Sequence, residues 1–583
     1  MSGDDKTKAI RPGSSEQWES DMRTELDAAM DSTMAALTAP GGMLGLGSIE
    51  RFGVTLPTIA VAPPALNAYF AHYAGEHRDQ VFLVAGDERL TFAEVEDAAE
   101  RVACALVSAH GIQRGDRIGI AMRNSPSWIV LYMGIIMAGG VATLLNGWWQ
   151  SDELEAAIRD VDCNMVFADP PRVKRLTQIA GLATPVIGID DTQPLRIALD
   201  VLLKEDPVGV ALPPLGPDDH ATILFTSGST GQSKGALCDH RAIIQAIFNY
   251  LGQAMMMLGI ATAQGNPPVG QPVTLLTIPL FHITGEVPVF LQSFAMGRKL
   301  VLMPKWDARE AMRLIEAEGV TYFVGVPLMS FEILNHPDRS DYDLSTVTDF
   351  AAGGAPRPVE HVRRLGEEMG GSAPLIGYGL TETNAVGTGN WRSNYIAKPN
   401  SAGRASAPLV DLAILDDDGR AQPAGVRGEV GIRSVCNFKE YWNRPEATAA
   451  AFTADGYFRT GDIGFLDEDG YLFIVDRKKD IIIRGGENIS CQEVEAALYQ
   501  NPAVAEAAVF GLADERFGEV PGAVVVLQEG ETLTPDDLCA FLHQHIAAFK
   551  VPQRVWIADA PLPRLGTEKI DKVTIRERYR GMV

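Results

Sequence analysis

Thr226-Ser227-Gly228-Ser229-Thr230-Gly231-Gln232-Ser233-Lys234-Gly235 combines glycines, hydroxyl side chains and a single lysine in one short loop. The residues before it, Ala221-Thr222-Ile223-Leu224-Phe225, form an apolar run that reads as a buried strand. Glycine lets a backbone turn tightly and approach a ligand closely. Successive N–H groups and hydroxyls can surround phosphate oxygens, and the lysine adds a point charge. The Walker-type loop needs Gly-Lys-Ser/Thr. Here Ser233 precedes Lys234 and Gly235 follows it. The stretch is therefore a phosphate loop of another kind or, read locally, a surface turn rich in glycine and serine.

Outward from this loop, strands and helices alternate. On the C-terminal side the pattern predicts a helix from His240 to Leu258 and strands at Val273–Pro279, at Tyr322–Pro327 and from Phe350. On the N-terminal side it predicts strands at Cys163–Ala168, within Gly115–Met122 and at Arg89–Phe92, with a helix over Ala93–His110. Ser151 is the expected N-cap of another helix. The uncharged run Trp128–Leu145 is long enough to be a membrane-span candidate, but Gly139-Gly140 divides it into a helix-length and a strand-length piece. The expected fold class is α/β: a large layered N-terminal domain with mostly parallel sheets, then a small mobile α+β C-terminal domain. Residues 1–60 read as an extension. A helix within Gln17–Leu37 is expected, with Met22, Leu26, Met30 and Met34 at helical spacing, followed by a hinge-like linker APGGMLGLGS. This helix is expected to lie on the body or in a homodimer contact.

Composition narrows the function classes. The chain has 583 residues, 46% apolar and 21% charged, as in ordinary globular proteins. A net charge of −25 argues against nonspecific nucleic-acid binding and against docking on anionic membranes, and no stable membrane insertion is expected. The six cysteines are scattered with no CxxC pair, which suits reduced thiols in a cytoplasmic setting rather than a metal site. The polar N-terminus lacks the apolar core of a signal peptide.

The ten-residue loop resembles the signature loop of the adenylate-forming superfamily, which includes acyl-CoA synthetases, adenylation domains of peptide synthetases and firefly-type luciferases. Ser233 stands where the usual form has proline. Further stretches follow in that superfamily's order: Leu280-Phe281-His282 after a strand, Gly353-Gly354-Ala355-Pro356, Tyr378-Gly379-Leu380-Thr381-Glu382-Thr383, Gly428-Glu429-Val430-Gly431-Ile432-Arg433, the run from Tyr441 to Thr448, and Gly456 to Asp462. The resemblance covers residues 60 to 580 and is greatest to fatty-acid CoA ligases.

The resemblance implies roles. Thr226, Ser227, Gly228, Ser229, Thr230, Gly231 and Lys234 would hold the β- and γ-phosphates of ATP. Gly353, Gly354, Ala355, Tyr378 and Gly379 would form the adenine site. Thr381 would hold the α-phosphate. Glu382 would bind Mg²⁺, since a hard cation takes carboxylate and phosphate oxygens together. Asp462 would accept from the ribose hydroxyls, which is how proteins commonly read a ribose. Arg477 would also touch the ribose, and Lys479 matches the hinge. His282 would sit beside the acyl pocket. Gly485 and Gly486 would line the coenzyme A channel. Lys569 would stabilise charge during adenylation. Two residues depart from the usual LPRNATGK pattern around that lysine: Leu565 and Glu568.

The implied organisation is an extension over 1–60, an AMP-binding domain over 61–477, and a small domain over 478–583. The implied activity is ATP- and Mg²⁺-dependent activation of a hydrophobic carboxylic acid, fatty or aryl, to acyl-AMP, then transfer to coenzyme A. The expected acyl wall is Phe248, Ile283, Thr284, Val287, Val324, Gly325, Val326 and Gly377, apolar and without a placed lysine or arginine for a second carboxylate. Three other readings stay open on the sequence: an acyl-AMP ligase loading a carrier-protein thiol, a luciferase-like oxidoreductase, and a nucleotide- or acyl-binding protein with weakened catalysis.

Overall fold

A computed structural model describes residues 24–203, 209–226, 233–355, 357–369, 371–478, 480–484, 487–564 and 570–580. The strand His220–Thr226 ends at the glycine- and serine-rich loop, and Lys234–Asp239 returns antiparallel beside it, with Lys234 opposite Thr226. Beyond His220–Thr226 the sheet continues through Val141–Leu144, Arg117–Ala121, Met165–Ala168 and Val186–Gly188, all parallel, while Glu440–Tyr441 closes the other edge. Val141–Leu144 and Met165–Ala168 are buried at every position, as strands covered on both faces must be.

A nine-stranded sheet carries the rest of the large unit. Its central strands Ala373–Tyr378, Asp349–Gly353, Tyr322–Gly325, Val273–Leu276, Lys299–Leu302 and Val81–Ala85 run parallel. Parallel strands joined through helices bring their C-terminal ends to one edge, where ligands bind in open α/β sheets. The fold is thus α/β with mostly parallel sheets, as expected.

The apolar run before the loop folds as helix, turn and strand. The helix Pro126–Met137 is buried along its whole length, Gly139 turns at φ +79°, and Val141 opens a sheet strand. The helix His240–Ala263 is long and apolar enough to cross a membrane by length and composition, yet most of its apolar window is buried in the protein.

Two local expectations are corrected. Ser151 is the first helical residue, not the cap. Gln150 precedes the helix, its N–H donating to Glu153 Oε2 at 2.9 Å, while the Ser151 hydroxyl donates to the Arg175 carbonyl. The linker expected after the first helix is also partly strand: Leu46–Arg51 pairs antiparallel with Val54–Ile59. Leu56 and Ile59 are buried in the main core, so the pairing is held by burial that a glycine-rich composition hides.

The N-terminal helix is Glu25–Thr38, and Gln17 to Met22 of the expected span lie outside the described residues. Leu26, Met30 and Met34 pack on Met256, Met257 and Ile260. Asp27, almost fully buried, accepts from the Tyr471 hydroxyl at 3.0 Å and pairs with Arg404 at 3.0 Å.

Two further units follow. An antiparallel sheet joins Asp411–Leu415, Gly428–Arg433, Phe458–Leu466 and Leu472–Arg477. The C-terminal sheet has five strands, mostly antiparallel, with Val504–Asp514 and Gly518–Leu527 as its long pair. It has its own core, built from Val494, Leu498, Val509, Ala523, Leu538 and Leu542.

Candidate active site

A wide cleft opens along the C-terminal ends of the nine-stranded sheet. Asp349–Gly353 and Ala373–Tyr378 lie side by side, with Gly353 opposite Gly377. Gly354 leaves the first strand at φ +78°, the left-handed region that favours glycine. Gly379 is required for a different reason: a Cβ there would lie 2.0 Å from the Ala385 carbonyl oxygen. Thr381–Thr383 then forms a 3₁₀ turn, after which Asn384 and Ala385 adopt φ values of 50° and 62°. The strain is held by neighbours. Asn384 Nδ2 donates to the Cys436 carbonyl at 2.7 Å, and the Tyr250 hydroxyl donates to the Ala385 carbonyl at 2.6 Å.

This turn fixes Glu382, a buried carboxylate that accepts from the Tyr441 hydroxyl at 2.7 Å. Lys234 places its ammonium 4.8 Å from the centre of the Tyr441 ring. Burial raises the Glu382 pKa, while the Tyr441 hydrogen bond and the charges of Arg477 and Lys234 pull it back. Three side chains far apart in sequence therefore converge: a cation, an aromatic hydroxyl and a carboxylate. Such a carboxylate is suited to a hard cation that is also held by phosphate oxygens. Among the described residues no group of three or more His, Cys, Asp or Glu gathers to hold a metal without outside ligands.

A second cluster lies beside it. The Tyr378 hydroxyl donates to Asp462 Oδ2 at 2.7 Å, and Arg477 Nε lies 3.2 Å from Asp462 Oδ1. Asp462 and Arg477 are opposite one another across Phe458–Leu466 and Leu472–Arg477, so the antiparallel register sets their pairing. Glu429 supports the approach to Asp462: it accepts from the Gly461 N–H at 3.1 Å and pairs with Arg459 at 3.1 Å.

Thr226, Lys234, His282, Gly353, Gly354, Ala355, Gly379, Thr381, Glu382 and Arg477 all line the cleft. Tyr378 and Asp462 adjoin it, joined by their hydrogen bond. His282 accepts at Nδ1 from the Thr284 N–H at 3.3 Å. Ser227, Gly228, Ser229, Thr230, Gly231, Pro356, Lys479, Gly485, Gly486, Leu565, Glu568 and Lys569 lie outside the described residues. The stems of the segment holding Lys569 are described. Arg564 and Ile570 form an antiparallel bridge, both line the cleft, and Arg564 is paired with Glu506.

The acyl end departs from expectation. Ile283, Thr284, Val324, Val326 and Gly377 line the cleft. Phe248 and Val287 do not: both are buried in the core, Phe248 with its ring 6.4 Å from that of Tyr69. Gly325 is also turned away, and a Cβ there would meet Met329 Sδ at 2.9 Å. The face of His240–Ala263 that does line the cleft carries Tyr250, Ala254, Met257 and Ala261. Arg298 also lines the cleft, so a cation borders the same cavity as the expected acyl wall. It is buried against the Pro288 carbonyl, inside the helix Gly285–Leu291, and against Met296. The sequence carries no local signal for Tyr441 as a site residue, because its place near Lys234 depends on strand pairing across the sheet edge.

Comparison with known proteins agrees with this geometry. A family model described as AMP-binding enzyme matches residues 70–442, and one described as AMP-binding enzyme C-terminal domain matches residues 493–569. The long-chain-fatty-acid–CoA ligase of Bacillus subtilis (strain 168) is 32% identical over 515 residues, covering 83% of this chain and 89% of that protein. The feruloyl-CoA synthase of Amycolatopsis sp is 33% identical over 499 residues, covering 85% of this chain and 95% of that protein. The crystal structure of ATP-bound MatB from Rhodopseudomonas palustris superposes with a TM-score of 0.77 at 29% identity, covering 88% of this chain and 99% of that one.

Proposed function

The chain belongs to the AMP-binding enzymes of the adenylate-forming superfamily and is an AMP-forming acid–thiol ligase, and from that premise we propose how its own residues divide the work. A substrate carboxylate attacks the α-phosphate of ATP and pyrophosphate leaves. The thiol of coenzyme A then attacks the acyl carbonyl and AMP leaves. A carboxylate alone resists a thiol because its leaving group is poor, and the mixed anhydride with AMP corrects that. The protein contributes position and charge stabilisation.

Lys234 and the loop that begins at Thr226 hold the β- and γ-phosphates. Thr381 donates to the α-phosphate. Glu382 would hold Mg²⁺ jointly with phosphate oxygens, which would place positive charge against the leaving pyrophosphate. Gly353, Gly354, Ala355 and Gly379 leave room for the base against backbone, and Tyr378 stacks on it. Asp462 and Arg477 hold the ribose, positioned by the Tyr378 hydroxyl. His282 borders the reacting carboxylate. Lys569, carried on the segment between Arg564 and Ile570, serves adenylation. Lys479 acts at the hinge between 61–477 and 478–583, and Gly485 with Gly486 line the thiol channel. The acid is hydrophobic along most of its length, because the wall beside the reacting end is apolar.

The observation that carries this reading is the convergence of Lys234, Tyr441 and Glu382 on one face of one cleft. The test is pyrophosphate release with ATP, Mg²⁺ and a panel of acids, with and without coenzyme A. Multiple turnovers that require coenzyme A support a ligase; a single stoichiometric burst that coenzyme A cannot extend assigns the acyl group to another acceptor. Lys569→Ala should lower adenylation on the order of 10²-fold or more while sparing thioester formation from supplied acyl-AMP. Equal loss in both half-reactions would remove Lys569 from its role.

A further inference from the structure

The cleft does not end at the adenylation turn. From Tyr250, whose hydroxyl is bound to the Ala385 carbonyl, the lining face of the helix runs on through Ala254, Met257 and Ala261. Their spacing marks one stripe of the helix, apolar beyond the tyrosine hydroxyl, with Gln253 and Gln264 of the same helix also lining the cleft. Along the chain from Ile283 and Thr284, the cleft wall carries Pro288, Gln292, Ala295 and Met296 before reaching Arg298.

Strand register gives the distance. Lys299 pairs with Val273, Thr274 with Tyr322, and Tyr322 with Asp349. Arg298 therefore lies six register positions from Gly353, about 20 Å along the strands. One end of the cleft meets the nucleotide site; the other meets a guanidinium.

That guanidinium is buried, as is the Arg357 guanidinium, but Arg298 also lines the cleft. Arg298 is only 5% exposed. Its Nη1 is 3.4 Å from the Pro288 carbonyl and its Nη2 is 2.8 Å from Met296 Sδ, while Nε has no partner. Its charged carbon lies 5.5 Å from the centre of the Tyr322 ring. Among the described residues no carboxylate forms an ion pair with it. Acidic side chains on neighbouring elements are committed elsewhere: Glu318 to Lys299 at 3.0 Å and to Arg89, and Asp349 to Arg392 at 2.8 Å. The Tyr69 hydroxyl donates to the Leu291 carbonyl and accepts from the Ala295 N–H. Burial lowers the Arg298 pKa to about 10, which leaves it cationic at neutral pH. A buried charge without a counter-charge is costly, and buried charges in proteins are ordinarily paired.

We propose that Arg298 receives the far end of the acyl substrate, and that this end carries a second carboxylate, so that the preferred acid is an α,ω-dicarboxylic acid with an apolar middle. The proposal rests on the ligase reading and names its substrate class. Guanidinium is the group best shaped to take a carboxylate through two parallel N–H donors. An apolar chain suits the stripe, and a methyl terminus would leave the buried charge unpaired. A site built to pair a polar substrate group discriminates strongly against the analogue that lacks it.

The test compares suberic, sebacic and hexadecanedioic acids with octanoic, decanoic and palmitic acids. The full-length enzyme would be assayed by coenzyme A-dependent pyrophosphate release. The expected result is a higher kcat/KM for a diacid than for its matched monoacid, and a fall in that ratio on the order of 10²-fold in Arg298→Met, with Arg298→Lys intermediate. A wild-type preference for every monoacid, or a ratio that Arg298→Met leaves within about threefold, would overturn it. A second measurement does not depend on turnover: the diacid should raise the Tm of the wild type in the presence of ATP more than its monoacid does, and Arg298→Lys should weaken that difference. Failure of the ligase reading looks different. Absence of release with every acid, together with a diacid-specific Tm rise, sinks the ligase and keeps Arg298. Turnover confined to monoacids sinks Arg298 and keeps the ligase.

Discussion

Glu382 and Glu286 begin from the same local arrangement and end in different states. Each is a buried glutamate that accepts a hydrogen bond from a tyrosine hydroxyl at 2.7 Å, Tyr441 in one case and Tyr132 in the other. Around Glu382 stand Lys234 and Arg477, and the carboxylate borders the cleft. Around Glu286 only the Tyr132 hydroxyl opposes burial. Its Oε2 has no partner, and burial pushes its carboxyl up to about 8. The difference is the company of cations: Arg477 and Lys234 pull the raised Glu382 pKa back, and no cation does so at Glu286, which stays protonated at neutral pH. Burial of a carboxyl group alone does not mark a site, whereas burial beside convergent cations in a cleft does.

The largest expected effect separates the two directly. Glu382→Gln should reduce pyrophosphate release on the order of 10²-fold or more, and Glu286→Gln should leave it within about twofold. Equal losses in the two variants would break the contrast. A smaller effect tests the hydroxyls. Tyr441→Phe leaves a buried acceptor short of its donor, at a cost of about 1–3 kcal/mol, and should slow adenylation roughly tenfold. Tyr132→Phe should show a cost of that size in denaturant unfolding and not in turnover.

The smallest effect is in pH dependence. The Glu286 pKa is raised from 4.5 to about 8 on folding, so the native state binds a proton that the unfolded chain releases. Stability from this group is therefore full below the lower value and is lost as pH rises through the window, by up to about 1.4 kcal/mol per pH unit. Glu286→Gln should flatten that slope, so its Tm relative to wild type should rise between pH 5 and pH 8. A slope unchanged by the substitution would mean that Glu286 is charged in the native protein.

Much of the fold was legible because its signals are local. The apolar run Ala221–Phe225, the divided run Trp128–Leu145 and the helix expected over Ala93–His110 follow from patterns a few residues long. Errors arose where a neighbour distant in sequence overrode a local rule. The Arg175 carbonyl drew off the Ser151 hydroxyl and left the cap to Gln150, and Leu56 with Ile59 drew the glycine-rich linker into a hairpin. The site divides in the same way. Thr381, Glu382, Lys234 and Asp462 stand out through their neighbours in sequence. Tyr441 as the donor to Glu382, Tyr250 as the anchor of Ala385, and Arg298 at the far end do not.

By itself the sequence determined the alternation of strand and helix and the family motifs, because each depends on short-range periodicity or on a compact run of residues. Tertiary structure decided which cations stand beside which carboxylate, that Phe248 faces the core while Tyr250 and Ala254 face the cleft, and that Arg298 is buried at the cleft with no carboxylate ion pair among the described residues. Charge environment and burial depend on all the elements packed around a group, and no stretch of chain contains that information before it folds.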